Sequence, residues 1–125
     1  MSKEENAMIL NAVNIASTQW KNYFNSGDAA GCAAQYEKKA TMNAQPFGVY
    51  TGTSEIQGFW QKLIDDGFTD VDYIDQTIKI INGESALLTA GWKMNHAHGV
   101  ITKELWVLQS DGTAKLREDY FEVHG

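Results

Sequence analysis

The amino-acid sequence predicts an α+β domain in which N-terminal helices pack on a strongly curved, mixed or antiparallel sheet. Helical periodicity is confined to the first half of the chain and ends near Gly67. The remainder has the period of strands, joined by tight turns. Aromatic residues are concentrated between Trp20 and Trp60, in the helical half. Aromatic helices that close over a curved sheet leave an internal pocket, so we expect function to depend on that pocket.

Length and composition indicate one domain, residues 1–125, because 125 residues suffice for one substantial core but not for two. A net charge of −6 argues against a nucleic-acid partner, since phosphate binding requires an excess of Lys and Arg. The single Cys32 cannot form an internal disulfide, which suits a reducing compartment. An acidic N-terminus and the lack of a long apolar run argue against a signal peptide and a membrane span. We therefore expect a cytoplasmic protein.

Two helices are predicted before residue 37. The first runs from Glu4 to Asn25, because apolar residues recur along it at helical spacing. Gly27 is a natural terminator, and the Asp28 carboxylate can then cap a short helix, Ala29–Tyr36. Cys32 is expected to be a small buried residue of that helix rather than a nucleophile. The predicted apolar stripe of the first helix is Met8, Ala12, Ile15, Ala16, Trp20, Tyr23 and Phe24.

A third helix is predicted to begin at Ser54, because Ser54-Glu55-Ile56-Gln57 has the spacing of a capping box. Gly67 is expected to end it. The predicted buried face of this helix is Ile56, Phe59, Trp60, Leu63 and Ile64.

The second half of the chain is predicted to form two tight hairpins. Asn82-Gly83 and Asp111-Gly112 are dipeptides that two-residue turns prefer. The connection over residues 95–99 is looser, and its register stays open. An earlier segment, Lys38–Asn43, is predicted as an edge strand. The four strands of the hairpins are predicted at Thr69–Ile81, Glu84–Met94, Val100–Gln109 and Thr113–Val123.

A two-residue turn at Asp111-Gly112 predicts which residues of the last two strands face each other. Glu104 then lies opposite Asp119, and like charges directly across a ladder are unfavourable unless they are compensated. Arg117 is a diagonal neighbour that can neutralise one carboxylate. The other pairs predicted on this face are Trp106 with Arg117 and Thr102 with Phe121.

Enclosure decides the chemistry of this face, and the residue pattern leaves two alternatives open. In an enclosed face, burial and the like charge raise the pKa of a carboxyl, which then holds a proton near neutral pH and donates a hydrogen bond to a ligand. In a solvated face, the charges form a surface network. The opposite face is apolar enough to form a core or a dimer interface, and it carries Leu105, Val107, Leu116 and Tyr120.

Several scaffold residues carry a resemblance that covers the whole chain. They are Tyr23 through Gly27-Asp28, Ala40-Thr41-Met42, Pro46-Phe47-Gly48, Gly52, Ile56-x-x-Phe59-Trp60 and the Asp111-Gly112 hairpin. In these residues the chain resembles the nuclear transport factor two-like superfamily of cystatin-like cone folds, especially its ketosteroid isomerase-like and SnoaL-like polyketide cyclase members. The resemblance implies a conical pocket lined by the Glu104 face and a homodimer through the outer sheet face.

The resemblance also implies positions for catalytic groups, and the chain departs from three of them. Ketosteroid isomerases have a general-base aspartate where this chain has Gln45, which does not accept a proton usefully at neutral pH. Pocket tyrosines of the first and third helices are replaced by Trp20 and Trp60. Only the acid of the penultimate strand keeps its chemistry, as Glu104. A steroid isomerase that acts by the usual mechanism is therefore not expected.

The predicted function is to bind, and as an enzyme to transform, a small apolar or aromatic molecule in the pocket. Glu104, Asp119 and Arg117 are the candidate catalytic residues of an isomerase, dehydratase, cyclase or hydrolase, as acid, base and ligand-orienting group. The alternative is a non-catalytic ligand-binding or dimerisation domain. The candidate ligand-binding residues are Trp20, Gln45, Phe47, Trp60, Trp106 and Phe121.

No cofactor and no metal are expected. The glycines lack the spacing of a nucleotide- or phosphate-binding loop. His96 and His98 share one side of a loop, but no third metal ligand is evident and hairpin tips are usually exposed. The expected partners are a small organic ligand and a second copy of the chain.

Overall fold

The computed structural model describes residues 3–125, which form three helices and six strands. The helices are α1 (Lys3–Asn25), α2 (Ala29–Ala33) and α3 (Thr53–Asp65). No helix in this range combines the length and the apolar character needed to cross a membrane. The strands are β1 (Tyr36–Gln45), β2 (Gly48–Thr51), β3 (Asp72–Asn82), β4 (Ser85–Lys93), β5 (His98–Leu108) and β6 (Ala114–Val123).

The strands of residues 3–125 form one open mixed sheet in the order β2-β1-β6-β5-β4-β3. β1 and β6 run parallel, and the other neighbours are antiparallel. Register shifts interrupt every pairing except that of β1 with β2, and such bulges bend strands and increase their twist. Helix α1 contacts β3 to β6, and α3 contacts β1 and β2. The predicted α+β fold class is confirmed.

Helix α1 packs on the sheet through a stripe that differs from the predicted one. Met8 and Ile15 are 53% and 51% exposed, so they lie on the outer side of the helix. Ile9 and Val13 are fully buried in their place. The two stripes share Ala12, Ala16, Trp20 and Phe24, and only packing on the sheet distinguishes them. The buried stripe of α1 is Ile9, Ala12, Val13, Ala16, Ser17, Trp20 and Phe24.

The turn after α1 confirms the predicted cap but shortens the predicted second helix. Gly27 has a φ of 79°, in the left-handed region that favours glycine where a helix ends. The Gly31 N–H donates to Asp28 Oδ1 at 2.9 Å, which caps α2. The prediction that this helix extends to Tyr36 is wrong, because Tyr36 pairs with Leu116 and begins β1.

Cys32 is a small buried residue of α2, as predicted. Its side chain is fully buried, and burial raises the pKa of its thiol to about 12, as suits an inert core residue.

The predicted capping box at Ser54 is wrong, because the N-cap of α3 is Gly52, which has no side chain. Glu55 instead accepts a hydrogen bond from the Thr51 N–H at 3.0 Å. The five residues predicted for the buried face of α3 all contact the core.

The predicted edge strand is wrong in its position within the sheet. Lys38–Asn43 belongs to β1, which lies between β2 and β6. The edge is formed by β2, which has four residues and folds back on β1 after Pro46-Phe47. A strand this short has too few residues to show alternation, so the sequence pattern did not reveal it.

Both predicted hairpins are present, but neither has the predicted turn. Asn82 pairs with Ser85, so the first turn is Gly83-Glu84, and the Asn82 side chain accepts from the Glu84 N–H at 2.8 Å. In the second hairpin, the Gln109 N–H donates to the Thr113 carbonyl at 2.7 Å across a three-residue loop. The third loop residue, Gly112, has a φ of 85°. A three-residue loop with glycine at its left-handed position is a common hairpin connection.

Candidate functional site

Two acidic side chains lie directly opposite each other on neighbouring strands, Glu104 on β5 and Asp119 on β6. This pairing confirms the prediction, but the pair next to it does not. Trp106 faces Leu116 rather than Arg117, because the three-residue loop shifts the register by one position. A bulge at Arg117 then restores the predicted register at Glu104.

A second register shift lies on the other side of the acid pair. Phe121 faces Ile101 rather than Thr102, so the predicted pairing of Thr102 is wrong. Thr102 is exposed, and its hydroxyl donates to the Tyr120 carbonyl at 3.2 Å. The bulge brings Phe121 and Ile101 to the same side of the sheet as the acid pair, where both residues line the cavity described below.

Arg117 lies outside this site. Its side chain is 56% exposed. Its Nε and Nη2 atoms donate to the two carboxylate oxygens of Glu37 at 2.7 and 3.2 Å. These bonds hold the pKa of Glu37 below its ordinary value. The structure therefore does not bring the third predicted catalytic residue together with Glu104 and Asp119.

The acid pair is buried and held by neutral donors. Glu104 and Asp119 are only 6% and 3% exposed. Trp106 Nε1 donates to Glu104 Oε1 at 3.0 Å, and the Tyr36 hydroxyl donates to Asp119 Oδ2 at 2.6 Å. Trp60 Nε1 in turn donates to the Tyr36 hydroxyl at 3.2 Å. Asp119 Oδ1 is buried and has no hydrogen-bond partner among the described residues.

Burial raises the pKa of both carboxyls. For Asp119, burial raises the pKa to about 7, and the hydrogen bond from Tyr36 opposes this change. For Glu104, burial and then the charge of Asp119 raise the pKa well above its ordinary value, against the hydrogen bond from Trp106. Because the two groups interact, their protons belong to the pair. Near neutral pH this pair therefore retains at least one proton.

The acid pair lines a cavity of about 80 Å³ between the helices and the concave face of the sheet. Half of the lining residues are aromatic, and among the described lining residues none is basic. Such a site fits an apolar ligand with few polar contacts. The lining residues are Trp20, Phe47, Phe59, Trp60, Leu63, Phe68, Val71, Tyr73, Trp92, Met94, Ala97, Ile101, Glu104, Asp119, Phe121 and Val123.

Contacts between aromatic rings fix the walls of this cavity. The rings of Trp60 and Phe121 stack with their centroids 5.7 Å apart, and Trp20 meets Trp60 edge to face at 4.9 Å. Phe47, in the turn between β1 and β2, is 59% exposed and lies 6.2 Å from the ring of Phe59. Phe47 therefore stands where the cavity opens to solvent.

Two of the six predicted ligand-binding residues do not line the cavity. Gln45 is exposed at the end of β1 and faces Glu122 of β6. Trp106 is fully buried beneath the acid pair, where its indole supports Glu104. The four that line the cavity are Trp20, Phe47, Trp60 and Phe121.

Most of the cavity lining was missed by the sequence reasoning, and three of the missed site residues, Tyr36, Tyr73 and Trp92, carry polar groups. Tyr36 was assigned to the second helix, which concealed its place beside Asp119. Tyr73 and Trp92 face each other across β3 and β4, and the first hairpin register held the signal that was needed to find them. Burial, and then the charges of Glu104 and Asp119, raise the pKa of Tyr73 well above its ordinary value. The indole N–H groups of Trp20 and Trp92 are buried and have no acceptor among the described residues.

The described residues contain no group of three or more His, Cys, Asp and Glu side chains that could hold a metal ion. The ring of His96 lies edge to face against Phe68 at 6.1 Å. His98 begins β5 and pairs with Lys93. Both histidines are exposed, and neither lines the cavity of the acid pair.

Solved structures with the same architecture share little sequence with this chain. The proposed scytalone dehydratase from Novosphingobium aromaticivorans has a TM-score of 0.82 at 12% identity, over 99% of this chain and 89% of that one. The ketosteroid isomerase-like protein from Erwinia carotovora atroseptica has a TM-score of 0.79 at 13% identity, over 99% of both chains. An NTF2-like protein with a cystatin-like fold, also from N. aromaticivorans, has a TM-score of 0.76 at 11% identity, over 92% of this chain and 81% of that one.

Comparison by sequence adds nothing to these likenesses: no family model and no curated protein matches the chain. Identities this low establish architecture and leave chemistry open. The chain has the cystatin-like fold of these NTF2-like proteins.

Proposed function

We propose that the protein binds a small, mainly apolar organic molecule in the aromatic cavity and transfers protons to and from it. One observation carries the proposal: Glu104 and Asp119 are two buried, directly opposed carboxyls that line the same cavity. The reaction class is that of an acid–base isomerase, dehydratase, cyclase or hydrolase. Residues with shifted pKa values in a cleft are candidates for catalysis because catalytic groups must change protonation near the working pH.

Asp119 has the properties of the base. A pKa of about 7 lets it be ionised in part of the molecules at neutral pH and still be basic enough to accept a proton. The hydrogen bond from Tyr36 occupies Oδ2, and Oδ1 has no partner within residues 3–125. Oδ1 is therefore the oxygen that we assign to proton abstraction.

Glu104 has the properties of the acid. Burial and the neighbouring Asp119 charge favour its protonated form at neutral pH. Trp106 fixes one carboxyl oxygen, so the proton is available on the other. A carboxyl held neutral in this way donates a hydrogen bond or a proton to a ligand oxygen.

The structural neighbours support the dehydratase and isomerase classes only as analogies, since one fold hosts many activities. One neighbour is a proposed scytalone dehydratase and another is ketosteroid isomerase-like. The usual steroid isomerase mechanism is not proposed for this chain. Gln45 cannot act as its base, and that residue is exposed at the end of β1 instead of lining the cavity.

Exchange of ligand hydrogen for deuterium tests the proposal without a known substrate. Small apolar ketones, with and without an amino group, are incubated with the protein in D₂O, and NMR follows the loss of the protons on the carbons next to the carbonyl. We expect exchange for some of them with the wild type, and at least about 100-fold slower exchange with Asp119→Asn. Glu37→Gln removes a carboxylate outside the cavity and should leave the rate unchanged.

A non-catalytic ligand-binding domain is the alternative, and the same experiment separates it from an enzyme. Compounds that quench the fluorescence of the cavity tryptophans but show no exchange indicate binding alone. Exchange that is unaffected by both Asp119→Asn and Glu104→Gln would rule out the assigned acid and base.

We also propose that the chain forms a homodimer through the outer face of the sheet. Leu87, Leu105 and Tyr120 are on central strands and point away from the helices, yet they are only half-buried in the single chain. Apolar side chains in such positions support an interface. Light scattering of the wild type should give twice the mass of one chain, and Leu105→Lys should return it to one.

A further inference from the structure

The cavity contains two acidic side chains and, among its described lining residues, no positively charged one. Glu104 and Asp119 line it, and no Lys, Arg or His is among its described lining residues. The lysine and arginine ion pairs of the described residues lie elsewhere, as in the contacts of Lys103 with Glu118 and of Arg117 with Glu37. The cavity therefore has an acceptor site for positive charge that the described residues do not fill.

A free carboxylate oxygen marks the place where such a charge would bind. Asp119 is 97% buried at 3% exposure, and its Oδ1 has no hydrogen-bond partner in the described part of the chain. Buried acceptors are nearly always paired, so an unpaired one calls for a donor from outside the chain. An ammonium group has donors only, and it also brings the missing charge.

The walls of the cavity suit the same ligand. Trp20, Trp60 and Trp92 line it together with five other aromatic residues. Aromatic faces attract cations, tryptophan most strongly, and the attraction increases where water is excluded. An apolar molecule with one positive nitrogen therefore matches both the rings and the carboxyl pair.

A neutral ligand with an acceptor oxygen is the competing possibility. The N–H groups of Trp20 and Trp92 are buried and have no acceptor in the part of the chain that the structure describes, and an alcohol or carbonyl oxygen would satisfy one of them. A neutral oxygen can accept from an indole N–H, but it brings no positive charge to the two carboxyls. An ammonium group donates to Asp119 Oδ1 and also compensates the charge that the pair acquires when it loses a proton, so we favour the cation.

We propose that the ligand of this cavity is a small apolar ammonium ion, bound with its charge at the Glu104–Asp119 pair and its carbon skeleton against the tryptophan rings. This inference rests on the proposed function, which places the ligand in the same cavity. In the free protein the acid pair avoids its buried charge by retaining protons. The ammonium ion replaces a proton as the compensating charge, so binding releases a proton to the solvent.

Three probes with one branched carbon skeleton test the sign of the ligand charge. Isobutylamine, isobutanol and isobutyrate are cationic, neutral and anionic at neutral pH, since an alkylamine titrates near the pKa of lysine, about 10.4. Calorimetric titrations in two buffers of different ionisation enthalpy measure affinity and proton release together. We expect isobutylamine to bind at least about ten-fold more tightly than isobutanol and to release protons. Isobutyrate should not bind.

Matched variants connect the preference to the acid pair. Asp119→Asn keeps an oxygen that accepts from Tyr36, so the fold is preserved, while the charge is lost. This variant should bind isobutylamine no better than isobutanol, and proton release should disappear. Glu37→Gln removes one charge outside the cavity and should retain the full preference for the amine.

The possible failures are distinct. Equal or tighter binding of isobutanol overturns the inferred cation and leaves the proposed pocket intact. A preference for isobutylamine that survives Asp119→Asn also overturns it. If none of the probes binds and no cavity tryptophan changes its fluorescence, both the cationic ligand and the proposed binding function are contradicted.

Discussion

The Tyr36 hydroxyl donates a 2.6 Å hydrogen bond to Asp119 although 83 residues separate the two in the chain. Tyr36 opens β1, and the parallel pairing of β1 with β6 brings the two residues together. The hydroxyl also accepts a hydrogen bond from Trp60 of α3 at 3.2 Å. One tyrosine therefore links a helix, the sheet and the candidate base, and it determines which oxygen of Asp119 stays free.

Tyr36→Phe should destabilise the protein and raise the pKa of Asp119 above about 7. The hydrogen bond from Tyr36 lowers that pKa, so its loss has the opposite effect. The free energy of unfolding should fall by about 1–3 kcal/mol, since buried groups of Trp60 and Asp119 lose their partner. Chemical denaturation and carboxyl NMR measure the two effects.

Tyr50→Phe is the matched control for this change. Tyr50 is half-buried, and no side-chain hydrogen bond of its hydroxyl occurs within residues 3–125. Its loss of a hydroxyl should cost less than about 0.5 kcal/mol. Equal costs for the two variants would show that the Tyr36 bond is energetically unimportant.

Asp119→Asn should stabilise the protein increasingly as pH rises. The pKa of Asp119 is about 7 in the folded protein and about 3.9 in an unfolded chain. Between these values the folded state binds more protons, so the stability contributed by this group falls as pH increases. Asparagine does not titrate, and the advantage of the variant should grow to at most about 4 kcal/mol above neutral pH.

Urea denaturation of both proteins from about pH 4 to pH 8 measures this difference. Glu37→Gln is the control of opposite sign, because Arg117 lowers the pKa of Glu37. That variant should lose less than about 1 kcal/mol at neutral pH, and the loss should vanish in acid. An effect of Asp119→Asn that does not vary with pH would contradict the shifted pKa.

Arg117→Ala should leave the site unchanged. The guanidinium group is exposed and pairs with Glu37 on the outside of the molecule, and exposed pairs contribute about 0–1 kcal/mol. We expect a small loss of stability, an unchanged titration of Asp119 and unchanged binding of isobutylamine. Should the Asp119 titration move in this variant, Arg117 would act on the acid pair despite its external position.

Phe47→Ala should change the rate of ligand exchange more than stability. The ring is 59% exposed at the cavity opening, so its removal should cost less than about 1 kcal/mol. Association and dissociation of isobutylamine should both become faster in stopped-flow fluorescence. Phe59→Ala, which removes a ring in contact with Tyr50 and Trp60, should cost about 3 kcal/mol. Unchanged association and dissociation rates in Phe47→Ala would contradict the position of Phe47 at the cavity opening.

The sequence predicted the elements whose pattern is local. Helical periodicity located α1 and α3, and the Asn-Gly and Asp-Gly dipeptides located both hairpins. The predicted apolar stripe of α1 was partly wrong because Met8 and Ile15 fit a helical spacing as well as Ile9 and Val13 do. Only the sheet, which packs against one side of the helix, distinguishes the two sets.

The acid pair shows the limit of register arguments. Glu104 was correctly placed opposite Asp119, but the two-residue turn on which that placement depended does not exist. The longer loop and the bulge at Arg117 shift the register by equal and opposite amounts. The same bulge turns Arg117 outward, and no local sequence pattern predicts a bulge of this kind. Tyr36 was missed because it closely follows an alanine-rich helical segment, whereas its strand pairing with Leu116 is non-local.

The protonation of the Glu104–Asp119 pair is the central claim, and carboxyl-carbon NMR of the ¹³C-labelled protein tests it most directly. Titration of the wild type, with Asp119→Asn and Glu104→Gln to assign the signals, gives the pKa of each group. We predict that Asp119 titrates at about 7 and Glu104 well above its ordinary value. Titration of both carboxyls near about 4, as in unfolded peptides, would contradict a buried acid pair and the function proposed from it.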